Sequence, residues 1–107
     1  MKILICDSLE QEVINIFSEI GEVTNISDEE NKQHEISKNI VDAEVVVIRS
    51  ATTISKELIN SAKQLKIIAR CGVGVDNIDL EQASKKNIYV TNSQMLISFQ
   101  LQNLQLD

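Results

Sequence analysis

Three short runs of nearly unbroken apolar residues constrain this chain more than anything else in it: KILIC at 2–6, VVVI at 45–48 and LKIIA at 65–69. Each is too short for a buried helix or a membrane span. Each suits a strand covered on both faces. Strands of that kind belong to parallel sheets, where every crossover returns the chain through a helix that covers a face. The intervening stretches should therefore read as helices, and they do.

After the first run, Ser8 is placed to cap a helix with Glu12 in its first turns. Val13, Ile14, Phe17 and Ile20 keep helical spacing, and Gly21 suits the stop. Glu22 to Ile26 reads as a second strand. Ser27 then precedes Asp28, Glu29 and Glu30, a cap followed by acids that favour a helix N-terminus. The helix it predicts runs through Ile40, with Ile36, Ile40 and Val41 on one side and His34 solvated among charges. Beyond the VVVI strand, Ser55 caps a short helix carrying Leu58 and Ile59. Asp79 opens another through Ser84, and Ile88 to Val90 is the fifth strand. The pattern predicts an α/β fold: one doubly wound, parallel, five-stranded sheet with helices on both faces.

A chain of 107 residues holds one such domain and not a second, nucleotide-binding one. Only Phe17, Tyr89 and Phe99 are aromatic, so the core falls to Ile, Val and Leu, which favour strands. A net charge of −6 argues against nucleic acid, whose binders carry a basic face. The opening MKILICD is closed by an acid before it reaches the length of a signal peptide, and no stretch approaches a membrane span. These features predict a cytoplasmic protein in which Cys6 and Cys71 are buried, reduced thiols.

Of ten basic residues only two are arginines, and both end a predicted buried strand: Arg49 in VVVIRS and Arg70 in KIIARCG. In a parallel sheet those ends share the edge where open α/β folds bind ligands. Arginine offers a rigid fork of donors for carboxylate or phosphate, each charge-assisted bond contributing about 1.5–3 kcal/mol. By themselves two such residues serve equally well as strand-end caps paired with local acids. Ser50 adds a hydroxyl beside Arg49. Gly72-Val73-Gly74 follows Arg70, where missing side chains let backbone N–H groups approach an anion. Together they favour a small anionic ligand. The two glycines are not a dinucleotide fingerprint: a third glycine would be needed where Asn77 stands, after the first strand of a unit and not the fourth.

The segment VVVIRSATTISKELINSAKQLKIIARCGVGVDNIDLEQASKKNIYVTNS resembles the D-isomer 2-hydroxyacid dehydrogenases, and within them the phosphoglycerate dehydrogenase branch. The ordered pair of a VRSAT-like segment and an R-x-G-x-G-V-D-N-[VI]-D segment makes the resemblance specific. With the weaker similarity from Met1 to Asp42 it spans about 93 residues. It implies a flavodoxin-like substrate domain, residues 1–93, of an NAD-dependent oxidoreductase. It assigns Arg49 and Ser50 to the substrate's phosphate or carboxylate end. Backbone N–H groups around Gly72, Val73 and Gly74 would hold the carboxylate, with Arg70 at the same cleft. Asp76, Asn77 and Asp79 would tie down the loop and cap the next helix. The family's catalytic Arg, Glu and His and its NAD-binding glycines have no counterpart here. NAD, the family's cofactor, is therefore not expected to bind this chain alone, nor is turnover expected without it.

Past Ser93 the family continues with a proline, an asparagine and an S-V-A-E-like helix start, where this chain reads QMLISFQLQNLQLD. A one-base loss would explain the departure: restoring a single base after Ser93 permits codons that read in register with the family, so residues 94–107 are expected to be a frameshift product. The rival is an amphipathic packing helix built on Leu96, Ile97, Leu101, Leu104 and Leu106. The segment that completes this domain in the family is missing, which predicts exposed apolar surface and a homodimer. The alternative function is a stand-alone receiver-like module with Asp7 as phosphoacceptor. It needs acids beside Asp7 and a lysine after the last strand, where Thr91 and Asn92 stand.

Overall fold

A computed structural model of the chain describes residues 1–71 and 77–92. Along them lie β1 (Lys2–Ile5), α1 (Gln11–Ile20), β2 (Glu22–Asn25), α2 (Lys32–Asn39), β3 (Val45–Ile48), α3 (Lys56–Ser61), β4 (Ile67–Arg70), α4 (Leu80–Lys85) and β5 (Tyr89–Asn92). The strands form one sheet in the order β2-β1-β3-β4-β5, every neighbouring pair parallel. This is the flavodoxin-like order, whose direction of winding reverses between β1 and β3.

Alternation along the strands divides the core into two layers. Leu4, Cys6, Val46, Ile48 and Ile68 face Ile36 and Ile40 at α2, Leu58 and Ile59 of α3, and Ala83 of α4. Ile3, Ile5, Val45, Val47 and Ala69 face the other way, against Phe17, Val13, Ile14 and Ile20 of α1. Among the described residues, three helices thus pack on one face and one on the other. Each fully buried Ile or Phe contributes roughly 1.5–3 kcal/mol by leaving water. Tyr89, in register with Ile67, is 60% exposed.

Several boundaries differ from the sequence expectation for local reasons. Ser8 does not cap α1: Glu10 holds the N-cap position without a side-chain bond, and the Ser8 carbonyl faces Arg49 instead. Ser27 does not cap α2, because its N–H and hydroxyl both donate to Asn25 Oδ1, a local turn that competes with helix entry. The helix begins only at Lys32, which leaves Asp28, Glu29 and Glu30 outside it, and Val41 is exposed rather than packed beside Ile40. The second strand ends at Asn25, not Ile26. The fourth begins at Ile67, although Leu65 before it is buried.

The fifth strand starts one residue late because Ile88 finishes α4. Its N–H donates to the Ala83 carbonyl while that of Asn87 reaches Ser84. This is a Schellman ending, with Asn87 in the left-handed region at φ 59°. Gly21 does stop α1, but not through left-handed backbone, since its conformation is extended. It is needed for space: a Cβ there would lie 2.5 Å from the Met1 carbonyl oxygen. Cys6 is buried as expected while Cys71 is only half-buried. The two thiols pack on opposite faces of the sheet.

Candidate functional site

The carboxyl ends of β1, β3 and β4 form one rim of the sheet. Ile48 is in register with Arg70, so Arg49 stands one residue past the end of β3 beside the end of β4. Neighbouring strands are about 4.8 Å apart, which brings both arginine backbones to the same edge. Arg49 and Ser50 are exposed and Arg70 is half-buried.

The loop after β3 is gripped from two sides. On the β1 side stands Asp7, only 3% exposed. Its Oδ2 accepts the Arg49 N–H at 2.6 Å, and its Oδ1 accepts the Thr52 hydroxyl at 2.6 Å and the Lys32 ammonium. Burial pushes this carboxyl's pKa up, but the bonds from Lys32, Thr52 and Arg49 outweigh it. The net position is below the usual carboxylate value. The adjoining Cys6 thiol is pushed up to about 12, by burial first and the Asp7 charge second, so it is an inert core group and not a nucleophile.

On the β4 side Asn77 uses its whole amide. Its Oδ1 accepts the Arg70 Nε–H at 2.8 Å, and its Nδ2 donates to the carbonyls of Arg49 at 2.7 Å and Thr52 at 2.6 Å. The acceptors on one side and the guanidinium on the other leave the amide a single orientation. Next to it, Ile54 and Ile78 form a one-residue parallel bridge, with the Ile54 N–H on the Asn77 carbonyl and the Asp79 N–H on the Ile54 carbonyl. Asp79 then caps α4 by accepting the Gln82 N–H. The loops that carry the two arginines are thereby stitched together, and the plane of the Arg70 fork is set by Asn77.

Of the other residues singled out in the sequence, Gly72, Val73, Gly74 and Asp76 lie outside the described residues. His34 is exposed on α2. Among the described residues no cluster of His, Cys, Asp and Glu could hold a metal ion, and no helix is long and apolar enough to cross a membrane. What the rim presents is guanidinium and hydroxyl donors, those of Arg49, Ser50 and Arg70, on a braced loop.

Residues 3–97 match the family model of the D-isomer specific 2-hydroxyacid dehydrogenase, catalytic domain. The chain belongs to this family. Among curated members of the 2-hydroxyacid dehydrogenases it is 44% identical over 96 residues to a D-3-phosphoglycerate dehydrogenase of Methanocaldococcus jannaschii, an alignment covering 87% of this chain and 17% of that protein. It is 38% identical over 87 residues to a hydroxypyruvate reductase of Thermotoga maritima, covering 81% of this chain and 28% of the relative. The chain thus spans about a sixth of the phosphoglycerate dehydrogenase. Among solved structures, the PH0520 protein of Pyrococcus horikoshii superposes with a TM-score of 0.77 at 28% identity, over 85% of this chain and 27% of that one. An NAD+-bound 3-phosphoglycerate dehydrogenase of Entamoeba histolytica gives 0.67 at 27% identity, over 86% and 32%. The five-stranded sheet is accordingly the catalytic, substrate-binding domain of this dehydrogenase family.

Sequence reasoning weighed Asp7 only as a phosphoacceptor and did not foresee it as the anchor of the Arg49 loop. Its position at the end of a buried strand was the available signal. Lys32 gave none, since its partner is 25 residues away in sequence.

Proposed function

We propose that this chain is the substrate-binding part of a D-3-phosphoglycerate dehydrogenase-like oxidoreductase, and that the rim of Arg49, Ser50 and Arg70 holds the anionic end of a hydroxyacid or phosphate ligand. The observation that carries this reading is the placement of Arg49, one residue past the end of β3, beside Arg70 at the end of the adjacent β4, braced through Asn77. A guanidinium fork held in one plane loses little freedom on binding, which favours carboxylate or phosphate over a neutral ligand. The Gly72-Val73-Gly74 stretch is assigned the substrate carboxylate by resemblance to the family.

NAD, when bound to a full-length relative, supplies the hydride acceptor. The described residues do not fit that group. The first βα turn, residues 6–10, has no glycine and buries the Asp7 carboxylate where a pyrophosphate would need open backbone N–H groups. This chain is therefore proposed to bind substrate without turning it over alone, in the cytoplasm, with the exposed side of β5 favouring a homodimer. A receiver-like role is disfavoured by the three donors that already occupy Asp7.

The test is calorimetric titration of D-3-phosphoglycerate into the chain and into Arg49→Ala and Arg70→Ala. Loss of one charge-assisted bond is expected to weaken binding about tenfold or more with the fold retained. No binding by the unsubstituted chain refutes the retained cleft, and reduction of NAD by it refutes the claim of inactivity.

A further inference from the structure

A carboxylate directly behind an anion site is a liability, and Asp7 is such a carboxylate. It is 3% exposed and bonded to the backbone of Arg49, the residue that opens the candidate anion loop. A unit negative charge so placed repels any phosphate or carboxylate the loop receives, and burial strengthens the repulsion by lowering the local dielectric. The chain meets this with a residue from another element. Lys32, the first residue of α2, sends its ammonium to Asp7 Oδ1, and its side chain is 28% exposed. The same Oδ1 takes the Thr52 hydroxyl while Oδ2 takes the Arg49 N–H, so the carboxylate is satisfied on both oxygens.

We propose that Asp7 and Lys32 form a charge-compensated clamp in which Asp7 positions the Arg49–Thr52 loop and Lys32 cancels the charge that would otherwise repel an anion, so that the pair sets which sign of ligand the rim accepts. The inference rests on the reading of the rim as an anion site. Asp7 is a positioning residue: it fixes one backbone N–H and one hydroxyl of the loop, and Asn77 fixes two carbonyls of the same loop from the opposite side. With the backbone held at both ends, Arg49 and Ser50 are left to meet a ligand. Lys32 acts at a distance, through the field and not through contact.

A purely structural ion pair and a charge-compensating one predict different results. If the pair only holds α2 to the sheet, removing Lys32 lowers stability and leaves ligand affinity as it was. If it shields the rim, affinity falls even where the fold survives, and it returns when the Asp7 charge is removed as well. The experiment titrates inorganic phosphate and D-3-phosphoglycerate into the whole chain at low ionic strength, following the amide signals of Arg49, Ser50 and Thr52 by NMR. The variants are Lys32→Met, Lys32→Arg and Asp7→Asn/Lys32→Met, each with a thermal melt to report the fold.

Lys32→Met is expected to bind at least about tenfold more weakly, as an uncompensated unit charge a few ångström away implies. Lys32→Arg should stay near the unsubstituted chain, and the double variant should regain most of the loss. Should Lys32→Met fail to fold, Asp7→Asn decides: its lysine is left without a counter-charge, so it should bind phosphate about tenfold more tightly than the double variant. Equal affinity across these pairs overturns the clamp while leaving the anion site standing. Failure of the unsubstituted chain to bind either anion overturns the site, and the clamp with it.

Discussion

Asn77→Ala removes a side chain that joins the two arginine-bearing loops, and its cost follows from three bonds. Two are neutral amide-to-carbonyl bonds, to Arg49 and Thr52, each contributing about 1 kcal/mol net. The third, from Arg70 Nε, is charge-assisted and contributes about 2 kcal/mol. The full total overstates the loss, because Asn77 is half-buried and water will reach the exposed Arg49 carbonyl once the side chain is gone. We expect a destabilisation of about 2–3 kcal/mol. In a domain of this size each kcal/mol lowers Tm by about 4–8 °C, so the melt should fall by about 10–20 °C. Urea unfolding followed by circular dichroism gives the free energy directly. Asn77→Asp sharpens the test. It preserves shape and still accepts from Arg70, but it turns an oxygen toward two carbonyl oxygens, so it should cost as much as Ala. If both variants lie within about 0.5 kcal/mol of the unsubstituted chain, the stitch does not hold the loops together, since that is the scatter of ordinary surface substitutions.

Four further outcomes are expected. Because the Asp7 pKa is depressed in the fold, its stabilisation is complete above the ordinary carboxylate value of 3.8 and is lost as pH falls through the lower folded value. The stability gap between the chain and Asp7→Asn should therefore close between about pH 5 and 2 in pH-dependent urea melts, and a constant gap contradicts the assignment. Gly21→Ala should cost about 1–3 kcal/mol by crowding the Met1 carbonyl; a neutral result in thermal melts shows that the Met1 backbone moves freely. Asn87→Gly should be neutral to mildly stabilising at φ 59°, whereas Asn87→Val should lose about 1–2 kcal/mol, and equal melts for the two dispute the left-handed ending of α4. Sedimentation at rising concentration should reveal self-association that Tyr89→Lys weakens; a clean monomer throughout counts against the exposed β5 side as an interface.

How much of this was legible beforehand depended on the range of the interaction. Val45–Ile48 came out residue for residue, because a strand buried on both faces leaves an unbroken apolar run that nothing else of that length explains. The Ser55 and Asp79 caps were legible as well, since a cap bonds an N–H three residues on. Ser8 and Ser27 carry the same signal and cap nothing. Asn25 takes the Ser27 donors, and the chain at Ser8 follows the anchoring of Asp7 to residues more than forty positions away.

Read alone, the chain determined its class, its parallel sheet and the presence of both arginines at one edge, because hydrophobic periodicity and strand direction are local properties that survive without a partner. Tertiary structure decided the rest: that Asp7 and Asn77 grip the Arg49 loop from opposite sides, that Lys32 pairs with the buried carboxylate, and that Tyr89 stands exposed on β5. Those facts depend on side chains 25 or more residues apart meeting in space, and hydrogen bonds of that span leave no periodic trace in the order of the residues.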